Sequence, residues 1–127
     1  MPRPQHRRGE VWVIDLSPQT HKEEPGKAGR PALVIQTDIL NQAGHPTTIV
    51  LPGTTDIYED AGGDGFPLRV RAGKFAKPGE PPRETDLLVD QVRAVSNHRF
   101  VGNAPIGRVS EAHLKRVEEA LLLLTGR

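Results

Sequence analysis

The stretch Gly29-Arg30-Pro31-Ala32-Leu33-Val34-Ile35 places one permanently charged guanidinium directly before an apolar segment. Pro31 fixes its own φ angle and favours an extended conformation at Arg30, because the proline ring clashes with a helical residue before it. The apolar residues that follow predict a buried strand from Pro31 to Thr37. The stretch therefore predicts an arginine held on a stiff base at the start of a core strand, and Arg30 becomes a candidate functional residue.

Further short strand patterns lie on both sides of this stretch. They run from Glu10 to Leu16, from Thr47 to Pro52, from Phe66 to Arg71, and from Asp86 to Ser96, the last as one long strand or as two joined by a bend. Trp12 stands among apolar neighbours in the first strand and is assigned to the core. The Gly/Pro-rich stretch from Ala72 to Pro82 is expected to be a loop within the domain.

Helical patterns are few. One long helix is predicted after Ser110, where apolar residues recur on one face at Leu114, Val117, Leu121 and Leu124. A short helical turn is predicted from Asp38 to Asn41. Five or more strands without long helices between them predict a mainly β fold, a small barrel of antiparallel strands with the C-terminal helix packed at its side.

Length and composition indicate a single soluble domain. The chain has 127 residues, of which 35% are hydrophobic and 26% charged, and we expect residues 1–127 to form one domain with residues 1–7 flexible. The longest apolar run, Ala120 to Leu124, falls far short of the roughly 20 residues of a membrane span. Since cysteine is absent and the N-terminus has no secretory pattern, we expect a cytoplasmic protein without disulfides.

Several classes of function are poorly supported. A net charge of +1 argues against bulk coating of nucleic acid, so any contact with nucleic acid must be local. The five histidines have no metal-ligand spacing, and the acidic loop from Asp56 to Asp64 lacks the calcium-binding pattern. Phosphate-cradling loops and serine-nucleophile motifs are also missing. We therefore expect no catalytic metal and no cofactor.

Polar side chains remain at or near the predicted strand ends and in the loops, where they can meet at one site. They are Arg30, Thr54, Thr55, Glu23, Glu24, Gln91 and Arg93, together with the loop cations Lys74 and Lys77. An arginine, a hydroxyl and a carboxylate suffice for metal-free RNA cleavage, in which a ribose 2′-hydroxyl attacks the adjacent phosphorus. The arginine fork suits the phosphorane that forms, because it donates two parallel hydrogen bonds to phosphoryl oxygens.

Structural roles account for the same residues equally simply. Arg30 can pair with Asp15 or Glu24 on the surface, the threonines can form a turn after Gly53, and Gln91 can satisfy backbone groups. At this point the residues alone leave both interpretations open.

Four motifs in a fixed order resemble the MazF/PemK family of toxin endoribonucleases. They are Arg8-Gly9-Glu10-Val11-Trp12 with Asp15-Leu16-Ser17-Pro18, then Gly29 to Ile35, Leu51-Pro52-Gly53-Thr54-Thr55, and Leu88-Val89-Asp90-Gln91-Val92-Arg93-Ala94-Val95. The resemblance extends from Arg8 to the terminal helix, and the ordered set is far more specific than any single motif.

This resemblance implies an SH3-like barrel of the CcdB/MazF type, a homodimer, and metal-independent, sequence-specific cutting of single-stranded RNA. It also implies a MazE-like antitoxin as partner, and it assigns the catalytic arginine to Arg30 and the catalytic threonine to Thr54. The loop before Arg30 is about two residues longer than the family spacing, so the family's glutamate falls on Glu23 or Glu24, and we favour Glu24. The predicted RNA contacts are Thr55, Gln91, Arg93, Lys74 and Lys77.

A non-enzymatic alternative uses the same barrel. CcdB-like growth inhibitors bind a protein target such as DNA gyrase, and they need no phosphate-facing arginine at this strand start. A plain RNA-binding barrel is a third possibility, but aromatic residues make up only 4% of the chain, which gives few stacking platforms for bases. Arg30 together with Thr54 therefore favours the endoribonuclease.

Overall fold

The structure is a computed structural model, and it describes residues 6–17, 29–55 and 68–126. The elements in chain order are β1 (Glu10–Ile14), β2 (Arg30–Val34), α1 (Asp38–Gln42), β3 (Thr47–Thr54), β4 (Arg69–Phe75), β5 (Arg83–Leu88), β6 (Arg93–Ser96), β7 (Phe100–Val101), β8 (Gly107–Arg108) and α2 (Glu111–Leu124). Two short 3₁₀ turns, Val89–Gln91 and Asn97–Arg99, flank β6. Glu23, Glu24 and the acidic loop from Asp56 to Asp64 lie outside the described residues.

The strands form one antiparallel, nearly closed sheet. Its main path runs β4-β5-β3-β2-β1-β7, while β6 pairs with β3 and β8 pairs with β1. β3 serves two neighbours on the same side, because its first half pairs with β6 and its last two residues pair with β5. The predicted mainly β barrel with a C-terminal helix is confirmed.

The central strands β1, β2 and β3 are buried on both faces. One face contributes Val11, Leu33 and Leu51 to a core shared with the β4–β5 hairpin and α2. The other face contributes residues such as Trp12 and Val50 to a second core, which β6 and β7 close. Successive strand residues point to opposite faces, so each central strand holds two cores together. Trp12 is 1% exposed, and its prediction as a core residue is confirmed.

Helix α2 covers the first core. The Ser110 side chain accepts a hydrogen bond from the His113 backbone amide and caps the helix, as predicted. The buried residues of the helix are Leu114, Val117 and Ala120, and its apolar face is therefore the face that packs on the sheet. None of the described helices has the length and apolar character needed to cross a bilayer.

The N-terminal segment is fastened to both helices. The Arg8 amide donates to Asp38 on α1 at 2.8 Å, and the Arg8 guanidinium donates to Glu118 on α2 at 2.7 Å. The hydrogen bond from the Arg8 amide lowers the pKa of Asp38, with a smaller contribution from Asn41. His6, within the segment expected to be flexible, is buried and stacks on Phe100 with ring centroids 3.6 Å apart.

Two features of the sheet differ from the sequence predictions. Ala72 to Phe75 belongs to β4 rather than to a loop, because a bulge between Arg71 and Gly73 lets the strand continue, with Gly73 at φ +108°. The last strand pattern is two strands, β5 and β6, joined by a 3₁₀ turn, which was one of the two alternatives. The two-residue strands β7 and β8 were not predicted.

Candidate active site

Arg30 is the first residue of β2 and lies opposite Ile14 of β1. Its Nη1 atom donates to the backbone carbonyl of Gly53, at a distance of 2.9 Å. A neutral carbonyl fixes the guanidinium without cancelling its positive charge. The sequence placed Arg30 just before the strand, and the structure makes it the first paired residue.

Gly53 allows this contact because it has no side chain. A Cβ atom at Gly53 would meet Thr85 Cγ2 at 2.8 Å and the Pro31 carbonyl oxygen at 3.2 Å. Both separations are shorter than real Cβ atoms normally tolerate, so the strands approach more closely here than a larger residue permits. The close approach brings the Gly53 carbonyl within reach of Arg30.

Thr54 ends β3 beside this contact and is 9% exposed. The register pairs Ala32 of β2 with Pro52 of β3. Continuing this register by two residues puts Arg30 and Thr54 on the same face, and the observed contact of Arg30 is with Gly53, the residue directly before Thr54. The structure therefore brings together the two residues that the sequence analysis assigned to catalysis.

Asp86 of β5 lies on the next strand, beside Thr54. Arg30, Thr54, Asp86 and Arg71 are called the polar row below. The sequence analysis did not single out Asp86. Asp86 pairs with Thr54 on one side and with Arg71 of β4 on the other, and its side chain is 0% exposed. Arg71 Nε lies 3.0 Å from Asp86 Oδ1, and Arg69 Nη1 lies 3.7 Å from Asp86 Oδ2. The hydrogen bond to Asp86 raises the pKa of Arg71.

The two loop cations have different surroundings. Lys77 Nζ donates to the carbonyl of Gly29 at 3.0 Å and lies 3.8 Å from Glu80. Lys74 lies on β4 opposite Glu84, and its side chain is exposed. Lys77 thus steadies the backbone directly before Arg30, while Lys74 faces solvent.

The other predicted RNA contacts are spread further along the sheet. Thr55 follows β3 directly and is half-buried, next to the catalytic candidates. Gln91 lies in the 3₁₀ turn before β6, and Arg93 starts β6 opposite Val50. Val50 stands four residues before Thr54 on β3, which is roughly 13 Å along a strand. Arg93 therefore lies outside the Arg30–Thr54 corner.

Two further observations concern Asp15, which the sequence analysis considered as a surface partner of Arg30, and metal binding. Asp15 accepts hydrogen bonds from the Ser17 side chain and amide, which lower the pKa of Asp15. In residues 6–17, 29–55 and 68–126, no three His, Cys, Asp or Glu side chains come close enough to hold a metal ion. The polar groups described above are the guanidinium groups of Arg30 and Arg71, the hydroxyl of Thr54 and the buried carboxylate of Asp86.

Solved structures with a similar architecture include a MazF toxin and an endoribonuclease. MazF from Deinococcus radiodurans matches with a TM-score of 0.69 at 20% identity, covering 96% of this chain and 97% of that one. An endoribonuclease from a mycobacterial species matches with a TM-score of 0.66 at 17% identity, covering 98% and 94% of the two chains. These likenesses establish the class of fold, the barrel of the MazF toxins.

Sequence comparison defines the family. Residues 7–125 match the family described as PemK-like, MazF-like toxin of type II toxin-antitoxin system. Endoribonuclease MazF9 from Mycobacterium tuberculosis is 32% identical over an alignment of 127 positions, and the match covers 92% of this chain and 93% of that protein. Endoribonuclease EndoA from Bacillus subtilis is 33% identical over 115 residues, which cover 91% and 90%.

The chain belongs to this family of type II toxins, and the resemblance predicted from its motifs is confirmed. The prediction of a toxin endoribonuclease agrees with the family and with the names of both relatives.

Proposed function

We propose that this protein is a metal-independent endoribonuclease that cuts single-stranded RNA at specific sequences and acts as the toxin of a toxin-antitoxin pair. The observation that carries the proposal is the hydrogen bond from Arg30, where β2 begins, to the carbonyl of Gly53, directly before Thr54, where β3 ends. A charged fork and a hydroxyl on one face of a paired sheet can hold one phosphate between them.

In the proposed reaction the ribose 2′-oxygen loses its proton and attacks the adjacent phosphorus. The new bond between the 2′-oxygen and phosphorus forms, the bond to the 5′-oxygen breaks, and that oxygen takes up a proton. The products are a 2′,3′-cyclic phosphate and a 5′-hydroxyl. Arg30 stabilises the doubly charged phosphorane, Thr54 adds a neutral donor, and Glu24 is the proposed catalytic carboxylate, with Glu23 as the alternative.

The RNA strand is proposed to continue from the corner along neighbouring polar groups. Thr55 adjoins Thr54, and the exposed Lys74 guides the backbone of the RNA. Lys77 contributes by holding Gly29 in front of Arg30, in addition to its charge. Gln91 and Arg93 are the proposed contacts for nucleotides further from the cleaved bond.

Cleavage in the presence of excess EDTA tests this chemistry. The purified protein should cut a long single-stranded RNA into fragments with cyclic phosphate ends, and a fully paired duplex should resist because its backbone cannot bring the 2′-hydroxyl in line. Loss of cutting in EDTA, with recovery on adding magnesium, would contradict the mechanism. A protein that arrests growth while leaving RNA intact would favour the non-enzymatic, CcdB-like alternative instead.

The proposed assembly is a cytoplasmic homodimer of one domain per chain, inhibited by a MazE-like antitoxin. Structures of MazE-MazF from Deinococcus radiodurans share the fold of this chain. An extended acidic segment can occupy the RNA groove because its carboxylates replace phosphates at Arg30. Inhibition should then be competitive with RNA and weaker at high salt. A ternary complex of toxin, RNA and antitoxin with undiminished cleavage would contradict this mode of inhibition.

A further inference from the structure

The ion pair of Arg71 and Asp86 lies next to the proposed catalytic corner, and the cleavage chemistry does not use it. Thr54 pairs with Asp86, and Asp86 pairs with Arg71. Arg30 contacts Gly53 directly before Thr54, so the polar row from Arg30 to Arg71 crosses the four adjacent strands β2, β3, β5 and β4. Neighbouring strands are about 4.8 Å apart, which places the Cα atoms of Arg30 and Arg71 roughly 14 Å from each other. A bound strand of RNA can reach both residues.

The opposite face of the hairpin belongs to the core. Val70 and Leu87 alternate with the residues of the polar row, and they are buried in the core that α2 covers. Since alternate residues of a strand point to opposite faces, Arg71 and Asp86 lie on the face away from α2. Packing of the core therefore does not explain two charged side chains at these positions.

Burial separates the roles of the pair. The Asp86 side chain is fully enclosed, and that of Arg71 is 32% exposed. Arg69, which is 14% exposed, shares the same carboxylate. Two guanidinium groups therefore share the Asp86 carboxylate, and the charge of Glu84 acts more weakly on Arg71. Only the arginine side of this pair reaches the surface, and an exposed guanidinium favours an anion.

The geometry of the pair leaves one edge of the Arg71 guanidinium available. Arg71 directs Nε to Asp86 Oδ1 at 3.0 Å and Nη2 to Asp86 Oδ2 at 3.4 Å. Within the part of the chain that the structure describes, no hydrogen bond joins Arg71 Nη1 to a protein acceptor. A planar fork that is fixed along one edge presents its other edge in a defined orientation.

We propose that Arg71 is a second phosphate-binding residue, which contacts a phosphate of the RNA strand away from the cleaved bond. Asp86 is its positioning residue: it touches no RNA and fixes the orientation of the Arg71 guanidinium. The inference rests on the proposed function, because it takes the ligand to be the same single-stranded RNA. It adds a binding site on β4 to the catalytic corner between β2 and β3.

Salt dependence of RNA binding tests the role of Arg71. The probe is a labelled single-stranded RNA of mixed sequence with every 2′-hydroxyl methylated, which the protein cannot cut. Each phosphate contact to a single strand adds about 0.7 to the slope of log affinity against log salt. Arg71→Gln should lower that slope by about 0.7 and weaken binding about fourfold at 0.15 M salt.

Two further variants show whether a change in the salt slope comes from the contact of Arg71 with RNA, from the loss of one positive charge anywhere on the protein, or from misfolding. Lys115→Gln on α2 removes the same charge on the other side of the hairpin, and its slope should stay at the wild-type value. Arg71→Gln/Asp86→Asn leaves the net charge unchanged and keeps two amides that can pair, yet its slope should fall as in the single variant. An unchanged slope in this double variant, with its thermal melting intact, would overturn the proposal.

The sign of the effect at Asp86 tests its positioning role. Asp86→Asn removes a negative charge near the phosphates, and electrostatics alone would tighten binding. Loss of the fixed orientation of Arg71 should instead weaken binding, by about twofold or more, at an unchanged salt slope. Tighter binding by the folded variant would overturn the positioning role. If the wild type neither binds the probe nor cuts RNA, the proposed function is wrong. If the wild type does both, and Arg71→Gln binds with the wild-type affinity and salt slope, only this inference is wrong.

Discussion

Arg30 and Arg71 stand at the two ends of one polar row, and the protein holds them in opposite ways. Arg30 donates to the neutral carbonyl of Gly53, while Arg71 donates to the buried carboxylate of Asp86. The Gly53 carbonyl is neutral, so this contact fixes the guanidinium without contributing a counter-charge. A carboxylate fixes it more firmly, but balances much of the charge. The same side chain is therefore suited to two different tasks.

The difference matters because the phosphorane gains negative charge during the reaction. At the proposed cleavage site, the Arg30 guanidinium stabilises this added charge more than it stabilises the ground state, which is the condition for catalysis. A partly neutralised guanidinium at Arg71 attracts a phosphate whose charge does not change, and this contributes binding only. Catalysis and binding should then separate when each arginine is replaced.

The largest expected effect belongs to Arg30. Arg30→Ala should lower the single-turnover rate of RNA cleavage by about a hundredfold or more, the scale for removal of one preorganised transition-state donor. Arg30→Lys should restore little, since an ammonium cannot form the bidentate contact. Circular dichroism and thermal melting serve as the control for folding. Cleavage at the wild-type rate by Arg30→Ala would assign this residue a purely structural role.

The second largest effect is expected for Asp86→Ala, and it is an effect on stability. Asp86→Ala removes the carboxylate that two guanidinium groups share, and we expect the free energy of unfolding to fall by about 2 kcal/mol, because the arginines are partly solvated. Urea unfolding measures this quantity. The matched control is Arg71→Gln/Asp86→Asn, which should lose less. Equal stability of Asp86→Ala and the wild type would show that the ion pairs of Asp86 do not stabilise the fold.

The Thr54 hydroxyl should have a smaller effect on the reaction. Thr54→Val keeps the shape and the burial of the side chain and removes one neutral donor, so we expect about a tenfold loss in cleavage rate. Affinity for the methylated RNA should change by less than about twofold. A large loss of affinity with an unchanged rate would move Thr54 from catalysis to binding.

The smallest effects distinguish the two loop lysines. Lys77→Met removes the hydrogen bond to the Gly29 carbonyl, which should lower the cleavage rate about threefold through the position of Arg30. Lys74→Met should leave the rate unchanged at saturating RNA and should only reduce the salt slope of binding. Identical behaviour of the two variants in both measurements would contradict the different roles that their surroundings indicate.

Local patterns predicted much of the fold and half of the polar row. The apolar run after Pro31 predicts β2, and the cap at Ser110 with its periodic leucines predicts α2, because these signals lie within one element. Arg30 and Thr54 were found for a similar reason, since each stands at a strand end within a family motif. Strands β7 and β8 were not predicted, because two residues are too few to show the alternation of apolar and polar residues that is typical of a strand.

Asp86 shows what a linear pattern cannot supply. Asp86 directly precedes Leu87 and Leu88 in β5, but its importance depends on the register of β5 against both β3 and β4. The bulge between Arg71 and Gly73 sets part of that register, and the same glycine made Ala72 to Phe75 look like a loop. Burial of a charge between strands distant in sequence is a property of the assembled sheet.

The most direct test of the account compares Arg30→Ala with Arg71→Gln in EDTA, and measures for each the single-turnover cleavage rate at saturating RNA and the affinity for methylated RNA. The account predicts that Arg30→Ala loses about a hundredfold in rate and little affinity. Arg71→Gln should lose about fourfold in affinity and keep its rate. Equal losses of rate in the two folded variants, or a full rate in Arg30→Ala, would contradict the division of labour between the two arginines.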